Sequence, residues 1–356
     1  MVKMSPFWCF LTLAFLFGVI TDCSELNGVG IYELKRGDIS VKLTNYGATV
    51  LSLILPDKNG KLDDVVLGFQ TLEEYTNDTV YFGAIVGRVA NRIGDAQFTL
   101  NGTLYKLVAN EGKNMLHGGL KGFSDVVWTV QSHREDSHIT FTYNSYDGEQ
   151  GFPGNLSVMV TYMFIGTNKL AIKMEAEALN KATPVNLAHH TYWNLRGHNS
   201  GDILSHNLQL FASGITPVDK NLIPTGKIVP VKGTPYDFLE SHQIGSMINE
   251  LPSGYDINYV LDKSSPKHFR KAAVLQDSVS GRKLELWTNK PGLQFYTSNM
   301  LKNVKGKDGA VYKKYAAVCL ETQGFPDSVN HPNFPSQIIN PGEKYLHAMV
   351  YRFTAD

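Results

Sequence analysis

Cysteine is scarce in this chain. Cys9, Cys23 and Cys319 are the three among 356 residues. Cys9 lies in an apolar leader and Cys23 at its edge, so Cys319 has no partner in the remainder and a disulfide framework is excluded. No Cys/His spacing of the metal-binding kind occurs, so no metal is expected. Cys319 lies in an apolar run and reads as an inert buried thiol. Charge of one sign is also lacking: 33 Lys and Arg balance 33 Asp and Glu. Nucleic acid and anionic membrane surfaces are therefore not expected partners. The chain shows no βαβ alternation, no dinucleotide-binding glycine loop and no internal repeat. No linker rich in Pro, Ser or charge divides it. A long apolar run is missing too. As a helix, Phe7 to Ile20 spans roughly 21 Å, short of the ~30 Å bilayer core. Residues 1–23 thus read as a secretory signal peptide or, since no Ala-x-Ala precedes the break, an uncleaved anchor.

What is present points to β structure. The chain holds 32 Gly, 17 Tyr and 18 Phe, the composition of a turn-rich, aromatic-rich protein. Short apolar patterns bounded by turn residues run its whole length. They include Ile31–Leu34, Ile39–Thr44, Val50–Leu55, Asp64–Leu67, Ala96–Leu100, Thr103–Leu107, Val126–His133, Ile139–Asn144, Leu156–Ile165, Lys169–Leu179 and Leu204–Phe211. The last third adds Ile257–Leu261, Ala272–Asp277, Lys283–Thr288, Gln294–Thr297, Ala316–Glu321 and Lys344–Phe353. Helical patterns are confined to Thr71–Thr76 and Ser241–Glu250. The expected fold is all-β, a large antiparallel β-sandwich or barrel forming a single domain over residues 24–356. Asn77, Asn101 and Asn155 open N-x-Ser/Thr sequons. With the leader they imply the secretory pathway, an extracellular destination and no stable membrane association once the leader is cleaved.

One stretch concentrates hydrogen-bonding groups: Asn186-Leu-Ala-His-His-Thr-Tyr-Trp-Asn-Leu195. Read as one strand, it places Asn186, Ala188, His190, Tyr192 and Asn194 on one face. His189, Thr191, Trp193 and Leu195 take the other. The first face reads as the wall of a polar pocket. Four further stretches carry groups suited to sugar hydroxyls. Gly87–Gly94 holds Asn91 and Arg92 between glycines, and Asn114–Gly119 sets His117 before a glycine pair. Ser253–Tyr259 places Asp256 at the mouth of a strand, and Lys290–Tyr296 offers Gln294. The sharpest feature is Ala316–Asp327, in which Glu321 ends an apolar strand and shares a face with Ala317 and Cys319. A carboxylate there is partly desolvated, which raises its pKa. This set, without metal spacing, reads as a sugar site.

Those stretches, in this order and spacing, resemble the aldose 1-epimerases, also called galactose mutarotases. The resemblance runs from Tyr46-Gly-Ala48 to the last strand. It implies His190 as general acid and Glu321 as general base. It implies Asn91, Arg92, His117, Asp256 and Gln294 as the sugar-holding set, and a twisted β-sandwich with the site on its concave sheet. No cofactor is implied. The substrate would be a free monosaccharide such as D-glucose or D-galactose, and the protein a monomer. The chain departs from the family pattern at Ala188-His189, where Thr-Asn is usual. A histidine of ordinary pKa near 6.5 suits the acid role, and a base that starts ionised implies only a modest upward shift at Glu321. The alternative is a non-catalytic secreted sugar-binding protein on the same scaffold.

Overall fold

The computed structural model describes residues 28–262 and 269–356; the leader, with Cys9 and Cys23, lies outside the described residues. Three antiparallel sheets carry most of the described strands. The largest has nine, in the spatial order Thr129–Arg134, His138–Ser145, Leu156–Ile165, Lys169–Ala178, Lys344–Ala355, Arg282–Thr288, Arg270–Gln276, Asn207–Leu210 and His242–Gln243. A six-stranded sheet runs Tyr192–Trp193, Val318–Gln323, Gly292–Tyr296, Asp256–Val260, Gly214–Ile215 and Val229–Pro230. The third pairs Ile31–Arg36, Ile39–Thr44, Thr49–Pro56 and Leu62–Asp64.

The all-β expectation holds, and the turn chemistry explains where boundaries moved. Glycine at +60° lets Gly37-Asp38 close a two-residue hairpin, so the first strand runs two residues further, to Arg36. Asn101-Gly102, both at positive φ, turn the hairpin of Gln97–Leu100 and Thr103–Lys106. The short helix starts as read. Thr71 caps it, accepting from the Glu74 amide while Glu74 bonds back to the Thr71 amide. The second helical pattern is a 3₁₀ segment, Ile244–Glu250, preceded by a strand at His242–Gln243. The fourth expected strand forms at Leu62–Asp64 rather than over residues 64–67.

The six-stranded sheet sorts its residues by the period of two. One face carries Trp193, Val318, Leu320, Leu293, Phe295, Ile257 and Tyr259, all buried in a cluster shared with Met349, Tyr351 and Phe353 of the nine-stranded sheet. Each such side chain contributes about 1.5–3 kcal/mol on leaving water. The Trp193 and Tyr351 rings meet at 4.9 Å, and Thr322 Oγ1 lies 2.7 Å from His347 Nε2 across the same gap. The other face carries Tyr192, Cys319, Glu321, Gln323, Gln294, Tyr296, Asp256 and Asn258, set by the pairings Gln294↔Glu321, Asn258↔Gln294 and Tyr192↔Cys319.

Candidate active site

The Asn186–Leu195 stretch is not one strand. Ala188–His189 pair with Ile85–Val86, and Tyr192–Trp193 pair with Val318–Cys319. Between these, the His190 amide donates to Ala84 O and its carbonyl accepts from Gly83. The backbone serves two partners in succession, yet the alternation of faces survives. His189 turns into the core, with Nδ1 3.3 Å from the Tyr351 hydroxyl and Nε2 2.8 Å from Thr191 Oγ1. His190 turns the other way and lies 5.1 Å, ring to ring, from Tyr192.

His190 lines a cavity of about 170 Å³. The structure brings all seven sequence-derived residues to it: Asn91, Arg92, His117, His190, Asp256, Gln294 and Glu321. His190 and Glu321 are 5% and 2% exposed, with His190 Nε2 3.6 Å from Glu321 Oε1. Asn91 and His117 come from loops that brace one another. The Asn91 amide donates to His117 Nδ1 at 3.2 Å, and the His117 amide donates to Asn91 O at 3.1 Å. The accepting Nδ1 leaves the imidazole proton on Nε2. Gly118 makes this brace possible. At φ +93° it approaches the chain so closely that a Cβ there would meet Gly87 O at 2.0 Å. The glycine takes the positive φ that it alone adopts without strain, and lets backbone meet backbone.

Arg92 is buried and fixed. Its Nε and Nη2 donate to the two oxygens of Glu111 at 2.6 and 2.7 Å, leaving Nη1 3.9 Å from Asp256 Oδ2. Asp256 Oδ1 also accepts from Gln294 Nε2 at 2.7 Å, and Gln294 Oε1 accepts from Gln323 at 3.3 Å. Gln294 thus both lines the cavity and makes cross-strand amide bonds.

Sequence reasoning missed Glu111, Tyr81, Thr79, Val80 and Met300, all in the cavity wall. Tyr192 and Tyr296, which lie in the stretches read from the sequence, line it as well. Glu111 sits in a turn where its amide and carbonyl pair with Asn114, and no periodicity marks it. Tyr81, at φ +63°, sets its ring 4.8 Å from His117 and 5.9 Å from His190. Asp78 shapes that loop by accepting from the Val80 and Phe82 amides at 2.6 and 2.8 Å.

Burial decides the electrostatics, and differently from the sequence expectation. It lowers His190 to about 4. It raises Glu321 well above the carboxylate range, with Asp256 adding to the rise and Arg92 opposing it. Both shifts favour the neutral forms, so burial directs the pair's proton to Glu321. Burial also depresses His117 and raises Asp256, whose shift Arg92 and Gln294 oppose. Arg92 itself is raised, because Glu111 and Asp256 outweigh the cost of burying it. Glu321 Oε2 is buried without a hydrogen-bond partner. Cys319 is buried as expected, but its Sγ stands 3.9 Å from His190 Nδ1, at the site itself.

The chain is similar to known proteins over most of its length. It is 44% identical over 325 residues to the galactose mutarotases of Sus scrofa and Mus musculus, covering 91% of this chain and 93% of each relative. The crystal structure of an aldose epimerase homologue from C. elegans superposes with a TM-score of 0.86 at 31% identity, covering 92% of this chain and 99% of that one. The model of the family described as aldose 1-epimerase matches residues 30–352, and the chain belongs to that family.

Proposed function

We propose that this cavity opens and recloses the ring of a free aldose, exchanging its α and β anomers. The enzyme is an isomerase of the aldose 1-epimerase type. The observation that carries the residue assignment is the buried His190–Glu321 pair, 3.6 Å apart, facing one cavity. The anomeric hydroxyl and the ring oxygen share a single carbon, so a base and an acid this close reach both. Glu321 takes the C1 hydroxyl proton, and His190 gives a proton to the ring oxygen. The aldehyde forms, C1 rotates about its bond to C2, and closure reverses both transfers.

The pair needs one proton between them, whichever side holds it at rest. Without substrate, burial leaves it with Glu321. A bound aldose changes that balance: a hydroxyl donating to the unpartnered Oε2 favours the carboxylate, and a ring oxygen accepting from His190 favours the imidazolium. Acid and base each contribute typically ~10²–10⁴ in rate. Asn91, Arg92, His117, Asp256 and Gln294 hold the sugar, and Arg92 presents Nη1 to oxygen that becomes negative as the ring opens. D-glucose and D-galactose are the substrates we expect.

The test is polarimetry on freshly dissolved α-D-galactose and α-D-glucose. Glu321→Gln and His190→Asn should each lower the exchange rate by about 10²–10⁴ while keeping the wild-type fold by circular dichroism. Wild-type rates in both variants would overturn the assignment, and sugar binding without exchange by the wild type would establish the binding-only reading.

We also propose that the protein enters the secretory pathway as a monomer whose domain spans residues 24–356. Support comes from the apolar run of residues 7–20 and the sequons, of which Asn77 and Asn101 are exposed and Asn155 half-buried. Endoglycosidase treatment of protein from a secretory host should raise its mobility; an unchanged band would contradict glycosylation.

A further inference from the structure

Cys319 takes no part in these proton transfers, yet it stands beside both groups that do. It lies two residues before Glu321 on the same face of the strand Val318–Gln323 and is fully buried. Its Sγ is 3.9 Å from His190 Nδ1, while Nε2 of that ring is 3.6 Å from Glu321 Oε1. One ring nitrogen, the sulfur and one carboxylate oxygen lie within 4.8 Å of one another. A second observation points to a ligand: Glu321 Oε2 is buried with no hydrogen-bond partner, in a residue that lines the cavity.

We infer that His190, Cys319 and Glu321 form an inhibitory site for a thiophilic divalent cation of the zinc class, seated where the anomeric end of the sugar would lie. The donor set selects the ion. Thiolate and imidazole favour zinc and cadmium, whereas a single carboxylate supplies too few oxygens for magnesium or calcium. Charge favours it as well. Two protons leave to solvent, one from the Cys319 thiol and the one that rests on Glu321, and thiolate plus carboxylate then neutralise the dication, so no net charge is buried. Zinc bonds of about 2.0–2.3 Å in a tetrahedron require the three donors, with one imidazole nitrogen among them, to close up from separations of up to 4.8 Å, so all three side chains adjust on binding. His190 and Glu321 line the cavity while Cys319 stands behind them, outside its lining, so a bound ion would engage both groups that exchange protons. Binding itself is independent of the mechanism above; inhibition rests on it.

The experiment adds Cd²⁺ and Zn²⁺, with Mg²⁺ as control, to the full-length protein and to Cys319→Ala. The expected result is an ultraviolet thiolate-to-cadmium charge-transfer band in the wild type that is lost in Cys319→Ala. Cd²⁺ or Zn²⁺ should slow wild-type anomer exchange at least tenfold, excess galactose should relieve the effect, and the rate the variant retains should not respond. A band that persists in Cys319→Ala, equal inhibition of the variant, or neither band nor slowing at millimolar metal would overturn the site. A band with an unchanged exchange rate would overturn inhibition. A protein that shows the band but never exchanges anomers would sustain the metal site and refute the proposed function, so the two failures are distinguishable.

Discussion

Glu111→Gln isolates what holds Arg92 in place. The Arg92 side chain is 7% exposed and Glu111 33%, so the pair sits between two regimes. Breaking a fully buried pair costs about 3–5 kcal/mol, and an exposed pair is worth about 0.2–1 kcal/mol. Glu111 makes two charge-assisted bonds, and glutamine keeps one acceptor oxygen of the same reach. The change should therefore cost about 2 kcal/mol, which for a domain of this size is a fall in Tm of about 3 °C. If the loss appears as misplacement of Nη1, kcat/KM drops by up to about 30-fold, at roughly 1.4 kcal/mol per tenfold. Scanning fluorimetry and polarimetry measure the two effects. A double-mutant cycle sharpens the result. In an Arg92→Lys background Glu111→Gln should change kcat/KM little, because the bidentate fork is already gone. If Glu111→Gln left both Tm and kcat/KM at wild-type values, or acted equally in both backgrounds, Glu111 would not be positioning Arg92.

Three further outcomes are expected. The Asp256 carboxylate helps to raise Glu321, so Asp256→Asn should weaken binding and also move the alkaline limb of the exchange profile to lower pH; an unmoved limb would show that the two carboxylates are not coupled. Burial depresses His206 to about 4, so between pH 6.5 and 4 its unfolded form takes a proton that the folded form refuses. Stability from this residue is lost as pH falls through that window, by about 3 kcal/mol in all, and denaturant unfolding should show a shallower acid loss in His206→Gln; equal slopes would contradict this. Gly118→Ala drives a Cβ against Gly87 O at positive φ and should destabilise by ~3 kcal/mol, whereas an alanine variant with wild-type Tm would mean the two loops are not in that contact.

The sequence by itself determined much of this protein. Period-two patterns and turn residues identified the strands, because each sheet residue must choose between core and opposite face. The same alternation separated His189 from His190 although their strand is broken in two. Every residue assigned to the sugar site lines the one cavity, since each lies in a short stretch whose polar groups have no use in a core. The tertiary structure decided what depends on distant partners. Glu111 meets Arg92 across 19 residues, with no local pattern to mark it. Cys319 read as inert because its own strand is apolar; the register that pairs Tyr192 with Cys319 is what sets the thiol beside His190. Ordinary pKa values assigned the acid and base in the expected order. Enclosure of both groups by six strands and their loops reversed where the proton rests, because desolvation depends on everything around a group and not on its neighbours in sequence.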